Sequence, residues 1–203
     1  MITIVDYGLG NVKAFANIYR QLNIPVRIAD GAAALAGARK IILPGVGAFD
    51  WAMARLQASG MRDMLDRVVL EEKADVLGVC VGMQMMARRS EEGREAGLGW
   101  IDAEVVKLDT AGLNGQTQLP HMGWNDIILH RPSPLFDGLE GSRFYFLHSF
   151  HMIPADDGAI LAKADYGVTF AAAIGAGNIY ATQFHPEKSH AGGIRLLKNF
   201  AAL

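Results

Sequence analysis

The sequence predicts an α/β protein: an open, mainly parallel twisted sheet with helices on both faces, plus a smaller antiparallel β section. Two observations carry that expectation. Strand-like runs alternate with helical ones through about residue 90, the order that builds a parallel sheet. From Trp100 onward the texture changes to shorter alternating strands, which suit antiparallel pairing. A length of 203 residues with 51% hydrophobic side chains supplies a sizeable core for one domain spanning 1–203.

Residues 1–6 read as the first strand, and Gly8-Leu-Gly10-Asn11 turns the chain into a helix that reaches about Leu22. Gly8-x-Gly10-x-x-Lys13 is a partial dinucleotide fingerprint. Its third glycine is missing and Asp30 is a weak ribose partner, so a tight strand-to-helix turn is expected instead. Strands follow at 26–29 and 40–43, the latter ending at Pro44-Gly-Val-Gly47. Helices are expected over about 49–56 and 61–72, then a short buried strand at 76–79 and a helix from Met83 to Arg89. Further strands are expected at 103–108, 126–129, 142–149, 159–164, 169–174 and 178–183, with a closing helix over 191–203. Residues 109–118, rich in Gly, Thr, Gln and Asn, suit a mobile loop.

Net charge near −2 gives no electrostatic reason to expect nucleic acid or an anionic membrane as partner. No apolar run approaches the roughly 18 residues of a membrane span, and residues 1–7 start a strand rather than a leader peptide. A lone cysteine excludes an internal disulfide and suits a reducing cytoplasm. His121, His130, His148, His151 and His190 show no metal-ligand spacing, and neither a metal nor a cofactor is expected.

That cysteine stands where chemistry would put a nucleophile. In Val76-Leu-Gly-Val-Cys80-Val-Gly82, glycines flank Cys80 at minus two and plus two, the Gly-x-nucleophile-x-Gly elbow with cysteine in the serine position. A following helix would aim its N-terminus at the sulfur and favour thiolate. A buried apolar cysteine is the ordinary reading of a lone one, and the two glycines argue against it. A base is available in Gln183-Phe-His185-Pro-Glu187. His185 and Glu187 are two apart, so in an extended segment both leave the same face, and the carboxylate can hold one imidazole nitrogen while the other meets the sulfur. A surface turn with a solvated carboxylate is the alternative for His-Pro-Glu taken alone.

Together with Pro44-Gly-Val-Gly47, these motifs resemble the class I (triad) glutamine amidotransferases. Ser90-Glu-Glu-Gly93, Gly97-Leu-Gly-Trp-Ile101, Leu119-Pro-His-Met-Gly-Trp-Asn125, Phe146-Leu-His-Ser149 and His185-Pro-Glu-Lys-Ser189 resemble, within them, the glutaminase subunits of imidazole glycerol phosphate synthases, essentially end to end. The resemblance implies that Cys80, His185 and Glu187 hydrolyse glutamine to glutamate and ammonia. It implies an oxyanion hole from the Val81 amide and the 44–47 strand, chiefly Val46 beside Gly47, with a peptide that must rotate before catalysis; Gly45 and Gly47 would ease that rotation. Gln84, Glu92 and Ser149 fall at substrate-binding positions, Glu92 toward the α-amino group. Asn11, His121, Trp124 and Tyr145 fall on the face that meets a (β/α)8 cyclase subunit, which uses the ammonia to make imidazole glycerol phosphate and AICAR for histidine. Gly-Trp-Ile101 and Lys-Ser-His190 also resemble a paralogous branch that supplies ammonia to a sugar amidotransferase in surface-polysaccharide synthesis. Other readings of the elbow are a cysteine peptidase and a catalytically dead binding module. The complete triad stands against the second, and Gln84 with the Pro-Gly-Val-Gly strand fits a small amide better than a peptide.

Overall fold

The computed structural model describes residues 1–109 and 118–203, so the loop expected at 109–118 lies, apart from its two end residues, outside the described residues. In chain order the strands are β1 (Ile2–Val5), β2 (Val26–Ala29), β3 (Lys40–Gly45), β4 (Asp75–Cys80), β5 (Arg89–Ser90), β6 (Ala103–Lys107), β7 (His121–Asp126), β8 (Ile128–Leu129), β9 (Arg143–His148), β10 (Phe150–Pro154), β11 (Ile160–Asp165), β12 (Thr169–Ala176) and β13 (Ile179–Thr182). The α-helices are α1 (Val12–Gln21), α2 (Ala32–Leu35), α3 (Phe49–Ala58), α4 (Arg62–Asp66), α5 (Val81–Gln84) and α6 (His190–Ala202).

Among the described residues the main sheet has eight strands in the order β2-β1-β3-β4-β13-β12-β11-β8. It is parallel from β2 to β13 and antiparallel from β13 to β8. A three-stranded sheet (β10-β6-β5) and the antiparallel pair β7-β9 lie beside it. β1 and nearly all of β3 and β4 are buried along their length, because parallel strands are covered on both faces and must be apolar on both. α1 buries Val12, Phe15, Ala16 and Tyr19, a single helical stripe. Its Tyr19 hydroxyl donates to the Leu197 carbonyl at 3.1 Å, tying α1 to α6 near the two ends of the chain.

Three local expectations are corrected. The helix expected over 83–89 does not extend past Gln84. α5 starts at Val81 and ends after one turn, and the chain then swings into β5. The carbonyls of Met85, Met86, Ala87 and Arg88 accept from Leu98, Ile101, Gly99 and Gly97, so a returning loop takes the acceptors that a longer helix would have used. Residues 121–125 and 150–154 form strands where none was expected. The helix expected over 61–72 is α4 followed by a π turn at Arg67–Glu71.

Candidate active site

β4 ends at Cys80, at the carboxyl edge of the parallel strands where open α/β sheets place their ligands. Cys80 itself takes the strained backbone of the elbow, with φ 55° and ψ −112°. The flanking glycines therefore serve a different purpose from turn flexibility. A Cβ on Gly82 would strike the Leu43 carbonyl, and one on Gly78 would meet the Met86 side chain and the Gly82 carbonyl. They let α5 sit directly against β3 and β4. With only four residues, α5 contributes little macrodipole, so the sulfur's surroundings are set by nearby groups.

Cys80 is 3% exposed; its thiol donates to the Leu147 carbonyl at 3.7 Å, and the Gln183 amide donates to Sγ at 3.8 Å. His185, also 3% exposed, lies beyond the end of β13, which pairs in parallel with β4 in the register Thr182↔Val79. Its Nδ1 donates to Glu187 Oε1 at 2.9 Å, which leaves Nε2 for the sulfur. Strand alternation is not what brings the pair together: His185 is extended, but Glu187 sits in a 3₁₀ turn, Pro186–Lys188. Ser189 fixes that turn by donating to the His185 carbonyl at 2.6 Å and accepting from the Tyr145 amide at 3.0 Å. Glu187 Oε2 is buried without a hydrogen-bond partner among the described residues, so the carboxylate's charge acts mainly on the imidazole. Burial pulls the His185 pKa down. Hydrogen bonds and charge from Cys80 and Glu187 outweigh that and raise it to about 9.

A cavity of about 260 Å³ opens over these groups, lined among others by Val46, Gly47, Cys80, Val81, Gln84, Glu92, Ser149 and His185. The residues expected to make the oxyanion hole and bind substrate thus share one cavity with Cys80 and His185, and Glu187 stands behind His185. Gln84 is buried and gives both amide protons away, to the Phe150 carbonyl at 3.0 Å and Gln183 Oε1 at 3.1 Å. It keeps an acceptor oxygen. Glu92 Oε2 accepts from the Phe49 amide at 2.8 Å, so this wall of the cavity also caps the first turn of α3. Gly45, expected to ease a backbone rotation, also permits close packing: its Cβ would run into the Val81–Gly82 backbone. Gly47, at φ 86°, is the position with conformational freedom.

Of the residues expected to face a partner, Asn11 is exposed, Trp124 is 40% exposed and Tyr145 is half-buried. Trp124 and Tyr145 are register neighbours on β7 and β9, in edge contact at 6.3 Å. His121 points inward at 2% exposure, stacked between Phe146 and Tyr166. It forms a relay: the Asn125 amide donates to His121 Nε2 (3.3 Å), His121 Nδ1 to His148 Nε2 (3.1 Å), and His148 Nδ1 to the Phe150 carbonyl (2.9 Å). Each ring has one donor and one acceptor assigned, so both are neutral. Burial accordingly lowers His121 to about 4 and His148 to about 3. With both nitrogens of each ring engaged, the pair has no lone pair to offer a metal ion. Among the described residues no cluster of His, Cys, Asp and Glu could hold one.

Gln183, His148 and Tyr7 stand near Cys80 with no site role expected of them from sequence. Gln183 was within reach, since it ends the strand expected at 178–183 and lies two positions before His185. His148 and Tyr7 carry no local signal of their roles.

A family model described as glutamine amidotransferase class-I matches residues 3–202. Imidazole glycerol phosphate synthase subunit HisH of Bdellovibrio bacteriovorus is 56% identical over the whole of both chains. The protein of that name from Leptospira interrogans is 48% identical, again over the whole of both. A Pseudomonas aeruginosa protein named imidazole glycerol phosphate synthase subunit HisH 2 is 43% identical at the same coverage. Among solved structures, a crystal structure of a glutamine amidotransferase superposes with a TM-score of 0.76 at 18% identity, covering 100% of this chain and 99% of that one. At that identity the likeness speaks to the fold.

Proposed function

Because the chain belongs to the class-I glutamine amidotransferase family, we propose that it is the glutaminase subunit of an imidazole glycerol phosphate synthase. As one amidotransferase domain over 1–203, it hydrolyses glutamine and passes the ammonia to a (β/α)8 cyclase subunit, in the cytoplasm, for imidazole glycerol phosphate and AICAR in histidine biosynthesis. Among the described residues no helix is long and apolar enough to cross a membrane.

The chemistry follows from the groups in place. His185, held in one tautomer by Glu187, takes the Cys80 proton, and the sulfur attacks the side-chain amide carbon of glutamine. The carbonyl π electrons move onto oxygen, which meets the Val81 and Val46 amides. His185 then protonates the amide nitrogen, the C–N bond breaks, and ammonia leaves a γ-glutamyl thioester on Cys80. The imidazole next deprotonates a water, whose oxygen attacks the thioester; collapse expels the thiolate and frees glutamate. Gln84 with its free acceptor oxygen, Glu92 and Ser149 line the same cavity and would hold the amino-acid end. The cavity of about 260 Å³ has room for an amino acid.

One observation carries this reading: a buried cysteine and an imidazole fixed by a buried carboxylate share one small cavity. Cys80→Ala should remove ammonia release by about 10³-fold or more while circular dichroism is unchanged, since neither base nor oxyanion hole replaces a nucleophile. In complex with the cyclase, synthesis driven by ammonium salts should survive. Comparable glutamine turnover by Cys80→Ala would refute the assignment.

A further inference from the structure

The oxyanion strand is fixed at its near end by a side chain outside the triad. The β1–β3 ladder runs through the pairs Thr3↔Ile41 and Ile4↔Ile42. Past that point β1 ends at Val5, and the chain turns, with the Gly8 amide donating back to Asp6 Oδ1 at 3.1 Å. The Pro44 carbonyl, on a buried strand, accepts from the Tyr7 hydroxyl at 2.8 Å. Tyr7 is 2% exposed, and its oxygen also lies 3.4 Å from Met85 Sδ; with one proton to give, the shorter contact to a carbonyl is the stronger bond. On the other side of β3, pairing with β4 continues to Gly45↔Cys80, and Gly45 is pressed against the Val81–Gly82 backbone. The far end is held by the Glu92 carboxylate on the Phe49 amide. Freedom is thereby confined to Val46–Ala48, the span that holds Gly47 at φ 86°.

We propose that Tyr7 is a positioning residue for glutamine hydrolysis: its hydroxyl fixes the Pro44 peptide plane, and so aims the oxyanion donor offered by Val46 at the carbonyl that Cys80 attacks. This rests on the glutaminase reading. Tyr7 is not part of the cavity wall, and through its bond to the Pro44 carbonyl it acts by way of the strand. Losing a donor outright slows acyl transfer by about 10²–10³-fold, and a donor left in place but less well aimed should lose a fraction of that.

The test is Tyr7→Phe, which keeps the ring and removes only the bond. Glutamine hydrolysis should fall about tenfold in kcat with KM within twofold. Alkylation of Cys80 by iodoacetamide, which builds no oxyanion, should keep its wild-type rate. Met85→Leu, which leaves the Pro44 bond intact, should match wild type. An unchanged kcat, a raised kcat, an equal loss in alkylation, or a Tyr7→Phe chain that does not fold would each overturn the proposal. The last would make the hydroxyl a support of the fold rather than of the reaction. Failure of the glutaminase reading looks different: the wild-type chain would then release no glutamate from glutamine.

Discussion

Glu187→Gln isolates what a buried carboxylate adds to the imidazole it holds. The two side chains are 3% and 2% exposed and meet at 2.9 Å, a charge-assisted hydrogen bond with little solvent screening. Such bonds contribute about 1.5–3 kcal/mol, or roughly 10- to 150-fold in rate if the whole of it bears on the imidazolium formed in the transition state. Glutamine at 187 can still accept from Nδ1, but its amide nitrogen would then occupy the place of Oε2, which has no hydrogen-bond partner among the described residues. The tautomer is kept in part and the charge is lost. Expected is a kcat loss within that range, smaller than the loss in His185→Ala, which removes the base and should reach about 10³-fold or more. Because Glu187 raises the His185 pKa by hydrogen bond and by charge, imidazole NMR should show that pKa falling below its value of about 9 in Glu187→Gln. Initial rates of glutamate release for the two variants decide the matter. Equal losses, or an unmoved imidazole titration, would make Glu187 a structural anchor and leave the orientation of His185 to another group.

Stability should decline on the acid side through the buried relay. His121 and His148 titrate near 4 and 3 in the folded chain and near the ordinary 6.5 when unfolded, so the unfolded state binds more protons as pH drops below 6.5 and unfolding becomes easier down to about pH 3. Urea midpoints across that range should fall with acid, and His148→Gln should blunt the slope; an unchanged slope would refute the relay's role. His185 works in the opposite sense: its raised pKa contributes stability below pH 6.5 that is lost as pH climbs through about 9. The isolated chain should be a weak glutaminase, stimulated about 10²–10³-fold when the cyclase and its ligand favour a complete oxyanion hole. Steady-state rates with and without the cyclase test this, and full activity in the isolated chain would refute it.

The meeting of Cys80, His185 and Glu187 was legible because each part leaves a local mark: glycines at fixed offsets around Cys80, and a proline stiffening His185 next to Glu187. Long-range packing left none. Nothing between Met83 and Arg89 reveals that loop 97–101 will claim the carbonyls of 85–88 and end the helix after one turn. His121 reads like a surface histidine in a polar-aromatic block. Its burial depends on β7 pairing with β9, which sets it opposite His148, and on the rings of Phe146 and Tyr166 closing over it. Gly45 reads like a hinge, yet its lack of a Cβ answers to backbone 36 residues further on.

Sheet order joins the two halves of the triad. Cys80 and His185 lie far apart in sequence, and the antiparallel strands β11 and β12 intervene, yet β13 returns to lie parallel to β4. The pair Thr182↔Val79 puts residue 183 level with the nucleophile, so Gln183 reaches Sγ from the side and His185 follows two residues later. Parallel register is rigid because slipping by one residue would reverse every buried side chain on the strand. β13 is held on both edges, by β4 and β12, and cannot slip alone. The approach of β13 to Cys80 is therefore inherited from the sheet, the His185 amide is held by the Tyr145 carbonyl of β9 at 2.9 Å, and the 3₁₀ turn at Pro186–Lys188 aims the carboxylate at the imidazole. A substitution that loosens β12 against β13, far from the cavity, should on this reasoning disturb catalysis before it unfolds the chain.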